Sequence, residues 1–177
     1  MRTLFSSAFV QPLAATENIH GYLDLSPSQQ EAINATLQAF TGARDHAMAV
    51  GRQLETASNA VIHRFCYRQL RETFGLSANL TVRAIACAAR CLKEPTHCVE
   101  GAPVVEYDAR TLSLGDEART LSLSTVAGRV RDIDLSLTAG QRRRLQAGRV
   151  LRAVLSRPRQ DRYVLRISIL PRRKPSL

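Results

Sequence analysis

Arginine is the residue type whose spacing in this chain most clearly suggests chemistry. Arg64, Arg68 and Arg71 recur at the i, i+4 and i+7 positions of one segment. That spacing places them on one face of a helix, where guanidinium groups could follow a phosphate backbone. A charged helix face that is merely solvated is the alternative interpretation of the same pattern.

The distribution of charge favours a nucleic-acid partner. The 177-residue chain has a formal net charge of +10 at pH 7. Residues 1–99 contain nine Lys or Arg and seven acids, whereas residues 100–177 contain sixteen and eight. The planar guanidinium matches phosphate oxygens well. We therefore expect RNA or DNA backbone contacts from eight arginines: Arg64, Arg68, Arg71, Arg129, Arg142, Arg143, Arg144 and Arg149.

The sequence offers little for catalysis. It contains no Walker loop, dinucleotide-binding glycine pattern, HExxH motif or Ser-His-Asp arrangement. Asp132 and Asp134 lie two apart on one strand face and could share a metal, but the flanking Arg129 and Arg131 favour surface ion pairs instead. We predict no catalytic residue, no metal site and no cofactor in this chain, which is then not an enzyme on its own.

The cysteines are a second candidate metal set that the spacing disfavours. Cys87, Cys91, His97 and Cys98 could be imagined around zinc, but Cys87 and Cys91 fall in a helical pattern, and the adjacent His97 and Cys98 are poorly spaced as ligands. No export signal or apolar span of about 20 residues is evident. We expect a cytoplasmic protein whose four cysteines, Cys66 included, are reduced thiols.

Several segments alternate apolar and polar residues, which is the period of a half-buried strand. The hexamer Ala-Arg-Thr-Leu-Ser-Leu occurs twice, at Ala109–Leu114 and Ala118–Leu123, and predicts a hairpin. Gly128–Leu137 continues the meander, and Tyr163–Leu170 predicts the last strand. An opening strand is predicted at Thr3–Val10.

The segment between the first strand and the meander is helical in pattern. Ser26, Pro27 and Gln29 form the start signal of a first helix. A helix over Ala57–Phe74 carries the arginine row and an apolar stripe, and Gly75 is placed to end it. That stripe is predicted to consist of Ile62, Phe65, Cys66 and Leu70.

Three connecting segments are assigned by the same reasoning. Thr16–Leu25 is predicted to be a loop, and Ser136–Gln141 a turn. Val150–Leu155 fits a strand or a short helix. The predicted fold is α+β: a small antiparallel β-barrel with an inserted helical lobe. Its expected parts are a first barrel strand in 1–15, the helical lobe in 26–95, the rest of the barrel in 103–170, and a basic tail in 171–177.

Five segments resemble one known family in order and approximate spacing. They are Tyr67–Ala78, Val82–Ile85, Tyr107–Leu114, Leu121–Thr125 and Gly128–Val130. The pattern is similar to the central part of TnpB-type proteins, the transposon-encoded RNA-guided DNA nucleases also called OrfB transposases and related to type V CRISPR effectors. The resemblance spans residues 26–170 and contains none of the family's catalytic signatures.

The resemblance implies the recognition half of such a nuclease. That half is a wedge-like barrel of oligonucleotide-binding type with a helical recognition lobe, and it holds guide RNA and the guide–target heteroduplex. The family cuts DNA with three acids of a metal-binding RuvC domain, which we expect to be absent here. The implied partners are a guide-type RNA, DNA and a separately encoded nuclease half, with no membrane. The alternatives are a protein-interaction scaffold and a degenerate transposase fragment without activity.

Overall fold

The computed structural model describes residues 16–98, 101–159 and 162–171. Within them the strands are β1 (Glu17–Asp24), β2 (Val104–Tyr107), β3 (Leu112–Leu114), β4 (Thr120–Thr125), β5 (Gly128–Ser136), β6 (Gly148–Arg159) and β7 (Arg162–Pro171). The helices are α1 (Pro27–Gln53), α2 (Asn59–Phe74), α3 (Ala78–Lys93) and α4 (Ala139–Ala147). The α+β class predicted from the sequence is confirmed. The strand predicted within residues 1–15 and the tail beyond Pro171 lie outside the described residues.

The seven strands form one antiparallel sheet that curls into a nearly closed barrel. Their order is β2-β6-β7-β1-β5-β4-β3. The two edge strands are consecutive in the chain, and in the turn between them the amides of Thr111 and Leu112 both donate to the carbonyl oxygen of Asp108. Because so short a turn joins the two edge strands, the sheet has to bend until the end of β2 lies close to the start of β3.

Apolar residues that alternate along the strands fill the barrel. On β7, Leu165, Ile167 and Ile169 are buried, whereas Arg166 between them is exposed. This confirms the inward and outward faces that the alternation predicts for the last strand. The largest fully buried barrel side chain is Tyr107.

The segment predicted to be a loop at Thr16–Leu25 is instead β1, at the centre of the sheet between β7 and β5. Gly21 occupies an inward position, where a Cβ atom would lie 2.7 Å from Leu135 Cδ1. A glycine where an apolar side chain was expected interrupts the alternation of Ile19 and Leu23. That interruption is why the sequence pattern does not indicate a strand here.

The three inserted helices confirm the helical prediction. The Ser26 hydroxyl and the Gln29 side chain form the expected capping box of α1. Gly42 lies inside one continuous helix, and Phe74 packs on it. The lobe packs on β2 through α1 and α3, and Thr41 Oγ1 accepts a hydrogen bond from the Val104 amide at 3.1 Å.

The predicted turn at Ser136–Gln141 is wrong, because the helix α4 begins at Ala139. Thr138 and Gln141 form a second capping box. The Gln141 side chain also donates to the His20 carbonyl oxygen at 3.0 Å. The one buried residue of α4 is Leu145. The short helix therefore depends on its capping box and on the hydrogen bond from Gln141 to His20 rather than on a long apolar stripe.

The expectation of four reduced cysteines is also wrong. Cys91 and Cys98 form a disulfide, seven residues apart, whereas Cys66 and Cys87 are free and buried. The last turn of α3 and the following short helical turn bring the two sulfur atoms together. The expectation of reduced thiols rests on the lack of an evident export signal, which does not bear on this local geometry. Among the described residues, no helix is long and apolar enough to cross a membrane.

Candidate nucleic-acid interface

The helix α2 is positioned by a cap at each end and by one apolar face. Ser58 caps its start, and Gly75 ends it in the left-handed conformation at φ 63°. Ile62, Cys66 and Leu70 are fully buried towards α1 and α3. Their spacing of four residues fixes which side of α2 faces solvent.

The three predicted arginines of α2 lie on that solvent-facing side. At about 100° per residue, Arg64, Arg68 and Arg71 point away from the buried face, and all three are exposed. None of them forms an ion pair with another residue in the described part of the chain. We name these three residues the α2 arginine row.

An exposed aromatic residue lies beside the α2 arginine row. Phe65, predicted to be part of the apolar stripe, is 62% exposed, so that part of the prediction is wrong. The buried stripe repeats every four residues, and Phe65 falls one residue before Cys66, on the side of Arg64 and Arg68. Exposed aromatic rings next to cations are typical of surfaces that bind single-stranded nucleic acid by stacking on bases.

Tyr67 flanks the other side of the row. Its ring stacks on His63 with 4.5 Å between the ring centroids. The groove beside Tyr67 is lined by Arg68, Arg71 and Glu72. This face of α2 therefore combines guanidinium groups with aromatic rings on both sides.

A second group of predicted arginines surrounds α4. Arg143 is exposed, and Arg144 lies 3.9 Å from the Glu17 carboxylate with more than half of its side chain exposed. Arg142 has a structural contact, because its Nη2 donates to the Leu137 carbonyl oxygen at 3.0 Å. Arg149 is exposed at the start of β6, opposite the end of β7.

Arg129 lies elsewhere and is held by the barrel. Its Nη2 donates to Ser113 Oγ at 2.7 Å, and its Nη1 to the Arg110 carbonyl oxygen at 3.5 Å. It is at the start of β5, whereas α4 follows the end of that strand, a separation on the order of 20 Å. The eight predicted arginines thus occupy three different parts of the fold: α2 in the lobe, the α4 end of the barrel, and the β4–β5 turn.

Asp132 and Asp134, the two acids that could have shared a metal ion, do not face a common site. Asp132 is the bulged residue of β5 at φ 53°, which turns it out of the regular register, and Asp134 lies opposite Asp24 on β1. The predicted ion pairs with Arg129 and Arg131 are not formed among the described residues. In the part of the chain that the structure describes, no group of three or more His, Cys, Asp or Glu side chains could hold a metal ion.

Comparison with known proteins assigns no family to the chain. No protein-family model matches it, and a search of curated proteins finds no match.

Proposed function

We propose that this chain binds nucleic acid and that the exposed face of α2 is the main contact surface. The observation that carries the proposal is the α2 arginine row. It consists of three exposed arginines without an ion-pair partner among the described residues, beside an aromatic ring that is 62% exposed. An exposed aromatic ring beside guanidinium groups is the combination found on surfaces that bind single-stranded nucleic acid.

The geometry suits an extended strand better than a single ion. Seven residues separate Arg64 from Arg71, which is about 10 Å along the helix axis. Guanidinium groups spread over that length can contact successive phosphates, and Phe65 beside them offers a face for a base. Each stacked base contributes about 1–3 kcal/mol in proteins that bind single strands.

The α4 end of the barrel supports the proposal as a secondary surface. Arg143 and Arg149 are exposed there, and the net charge of residues 100–177 is strongly positive. A nucleic acid long enough to extend from α2 to the α4 end would be attracted by this charge without needing a specific contact at every arginine, because phosphate attraction acts over about 10 Å at moderate salt.

We further propose that the nucleic acid is a guide-type RNA with its target DNA, as the resemblance to TnpB-type proteins implies. Three helices inserted between strands of one small barrel support this assignment, since the resemblance implies that layout. The proposal gives this chain binding alone. The three acids and the divalent metal of cleavage would belong to a separate nuclease half.

Nucleic acid that co-purifies with the chain tests the guide proposal. The full chain should be purified at moderate salt and the bound RNA sequenced. One discrete RNA, enriched over total cellular RNA, is the expected result. A heterogeneous population that mirrors total RNA would retain nucleic-acid binding and reject the guide proposal. Absence of any nucleic acid, together with no binding to added RNA, would reject both.

A protein-interaction scaffold is the second candidate, because Val61 and Phe65 expose apolar surface on the same side of α2. Salt distinguishes the two functions. Affinity that depends on 6–10 phosphate contacts falls by about 10³–10⁵ between about 50 and 200 mM salt. Docking on an apolar face is nearly insensitive to salt over that range.

A further inference from the structure

A cleft of about 500 Å³ lies between the helical lobe and the outer face of the barrel. The lobe contributes residues of α1 and α3, and the barrel contributes residues of β1, β2, β6 and β7. Its charged lining consists of Arg44, Arg90, Arg152, Arg166, Glu94 and Glu106. Arg44 is paired with Asp45, and Arg90 and Arg152 are paired with Glu106, which leaves the cleft a small positive charge. None of its lining residues belongs to α2.

The barrel wall of the cleft is built by strand register. Glu106 on β2 lies opposite Val154 on β6, which lies opposite Arg166 on β7. In the next row Arg152 lies opposite Ser168. Side chains of directly paired residues share one face of the sheet. Glu106 and Arg166, about 60 positions apart in the chain, therefore lie on the same wall of the cleft.

Glu106 is the buried acceptor of this wall. Its side chain is 6% exposed, and its Oε1 forms ion pairs with Arg90 from α3 and with Arg152 at 3.7 Å. Its other oxygen, Oε2, has no hydrogen-bond partner among the described residues. A buried carboxylate oxygen without a donor is costly. The wall therefore has a place for an N–H or O–H group from a bound molecule.

The same wall presents donors for an anion. Arg166 is exposed and forms no ion pair with any residue the structure describes. Ser168 Oγ donates to Asn18 Oδ1 at 2.7 Å. The side-chain nitrogen of Asn18, Nδ2, is then left as a donor at the cleft. A guanidinium and an amide suit the oxygens of a phosphate.

The free thiol in the cleft is that of Cys87. Burial, together with the neighbouring Glu106 carboxylate, raises the pKa of Cys87 to about 12. The thiolate is the reactive form of cysteine, so this side chain stays protonated near neutral pH.

We infer that this cleft is a binding site for a small organic phosphate that also presents an N–H or O–H donor, as a nucleoside monophosphate does. The phosphate contacts Arg166 and Asn18, and the donor satisfies Glu106 Oε2. The volume is that of a pocket for an organic molecule, since such pockets measure about 300–1,000 Å³, and it exceeds what a bare phosphate ion fills. This inference does not depend on nucleic-acid binding by α2.

Calorimetric titration of the full chain with GMP, guanosine and inorganic phosphate tests the site, followed by the other three ribonucleoside monophosphates. GMP supplies both a phosphate and N–H donors, so it should bind about tenfold more tightly than either fragment. Arg166→Gln should weaken GMP binding about tenfold. Arg159→Gln, which removes an exposed arginine of β6 outside the cleft, should leave it unchanged.

Three outcomes would overturn the inference. The first is the absence of saturable binding by all four monophosphates at millimolar concentration. The second is equal affinity for GMP and inorganic phosphate. The third is an equal loss of GMP affinity in Arg166→Gln and Arg159→Gln. Because both variants keep the α2 arginine row, RNA binding measured on the same samples separates failure of the cleft from failure of the nucleic-acid surface.

Discussion

The side-chain amide of Gln29 donates a hydrogen bond to the Arg131 carbonyl oxygen at 3.0 Å and so joins the first turn of α1 to the bulge of β5. The same side chain accepts a hydrogen bond from the Ser26 amide at 2.9 Å to complete the capping box. One glutamine thus caps the start of α1 and anchors the lobe to the barrel. The bulge at Asp132 presents the carbonyl groups that receive it.

Gln29→Glu separates these two roles. A carboxylate can still accept from the Ser26 amide, but it cannot donate to Arg131. We expect the free energy of unfolding in urea to fall by about 1–2 kcal/mol. Gln38→Glu, the same change at an exposed position of α1, should alter it by less than about 0.5 kcal/mol. Equal stability of the two variants would mean that the contact with Arg131 contributes nothing.

Gly21 and Gly140 give a pair of glycine-to-alanine changes with opposite expected signs. A Cβ atom at Gly21 would lie 2.7 Å from Leu135 Cδ1 and 2.9 Å from Leu137 Cδ2, whereas one at Gly140 would meet nothing within 4 Å. Gly21→Ala should destabilise the chain by about 1–3 kcal/mol through overpacking. Gly140→Ala in α4 should be neutral or stabilise it by up to about 1 kcal/mol. Thermal unfolding of both variants checks the signs, and a stabilising Gly21→Ala would contradict the central position of β1.

Alkaline pH should destabilise the fold through its buried thiols. Burial raises the pKa of Cys66 to about 11, and burial with the nearby Glu106 raises that of Cys87 to about 12, from an ordinary value of 9.0. Above pH 9 the unfolded chain releases these protons and the folded chain keeps them. The stabilisation is therefore complete below pH 9 and is lost as pH rises towards 11–12.

Urea unfolding of the wild type and of Cys87→Ala at about pH 8 and pH 10 measures this effect, which amounts to about 1.4 kcal/mol per thiol and pH unit. The variant should lose about 1 kcal/mol less stability than the wild type between the two pH values. Identical losses would show that the Cys87 thiol does not titrate differently in the folded and unfolded chains.

Local patterns in the sequence predicted most of the fold because they are set by neighbouring residues. The capping box at Ser26, the C-cap at Gly75 and the alternation around Leu165 need no distant partner, and all three appear in the structure. The strand β1 was missed because Gly21 replaces an apolar side chain at an inward position. The helix α4 was missed because Gly140 and three successive arginines concealed the signal of its capping box.

Features that depend on distant contacts could not be predicted in the same way. The exposure of Phe65 follows from where α1 and α3 pack on α2, not from its own neighbours. The cleft brings Glu106 and Arg166 together through the register of β2, β6 and β7. Of the candidate nucleic-acid interface, only the positions of the arginines along α2 follow from the sequence alone.

The most direct test of the account is the salt dependence of RNA binding by two triple variants of equal charge. One replaces the α2 arginine row, Arg64, Arg68 and Arg71, by alanine. The control replaces three exposed arginines elsewhere, Arg110, Arg119 and Arg131. Fluorescence anisotropy with a labelled single-stranded RNA gives the slope of log Kd against log salt for each.

Each phosphate contact contributes about 0.7 to that slope for a single strand. We predict that the α2 variant loses about 2 from the slope and binds at least about tenfold more weakly at low salt, while the control keeps most of both. An equal loss of slope and affinity in the two variants would mean that general charge attraction alone holds the RNA. A wild-type chain that binds RNA without salt dependence, or not at all, would contradict the proposed function.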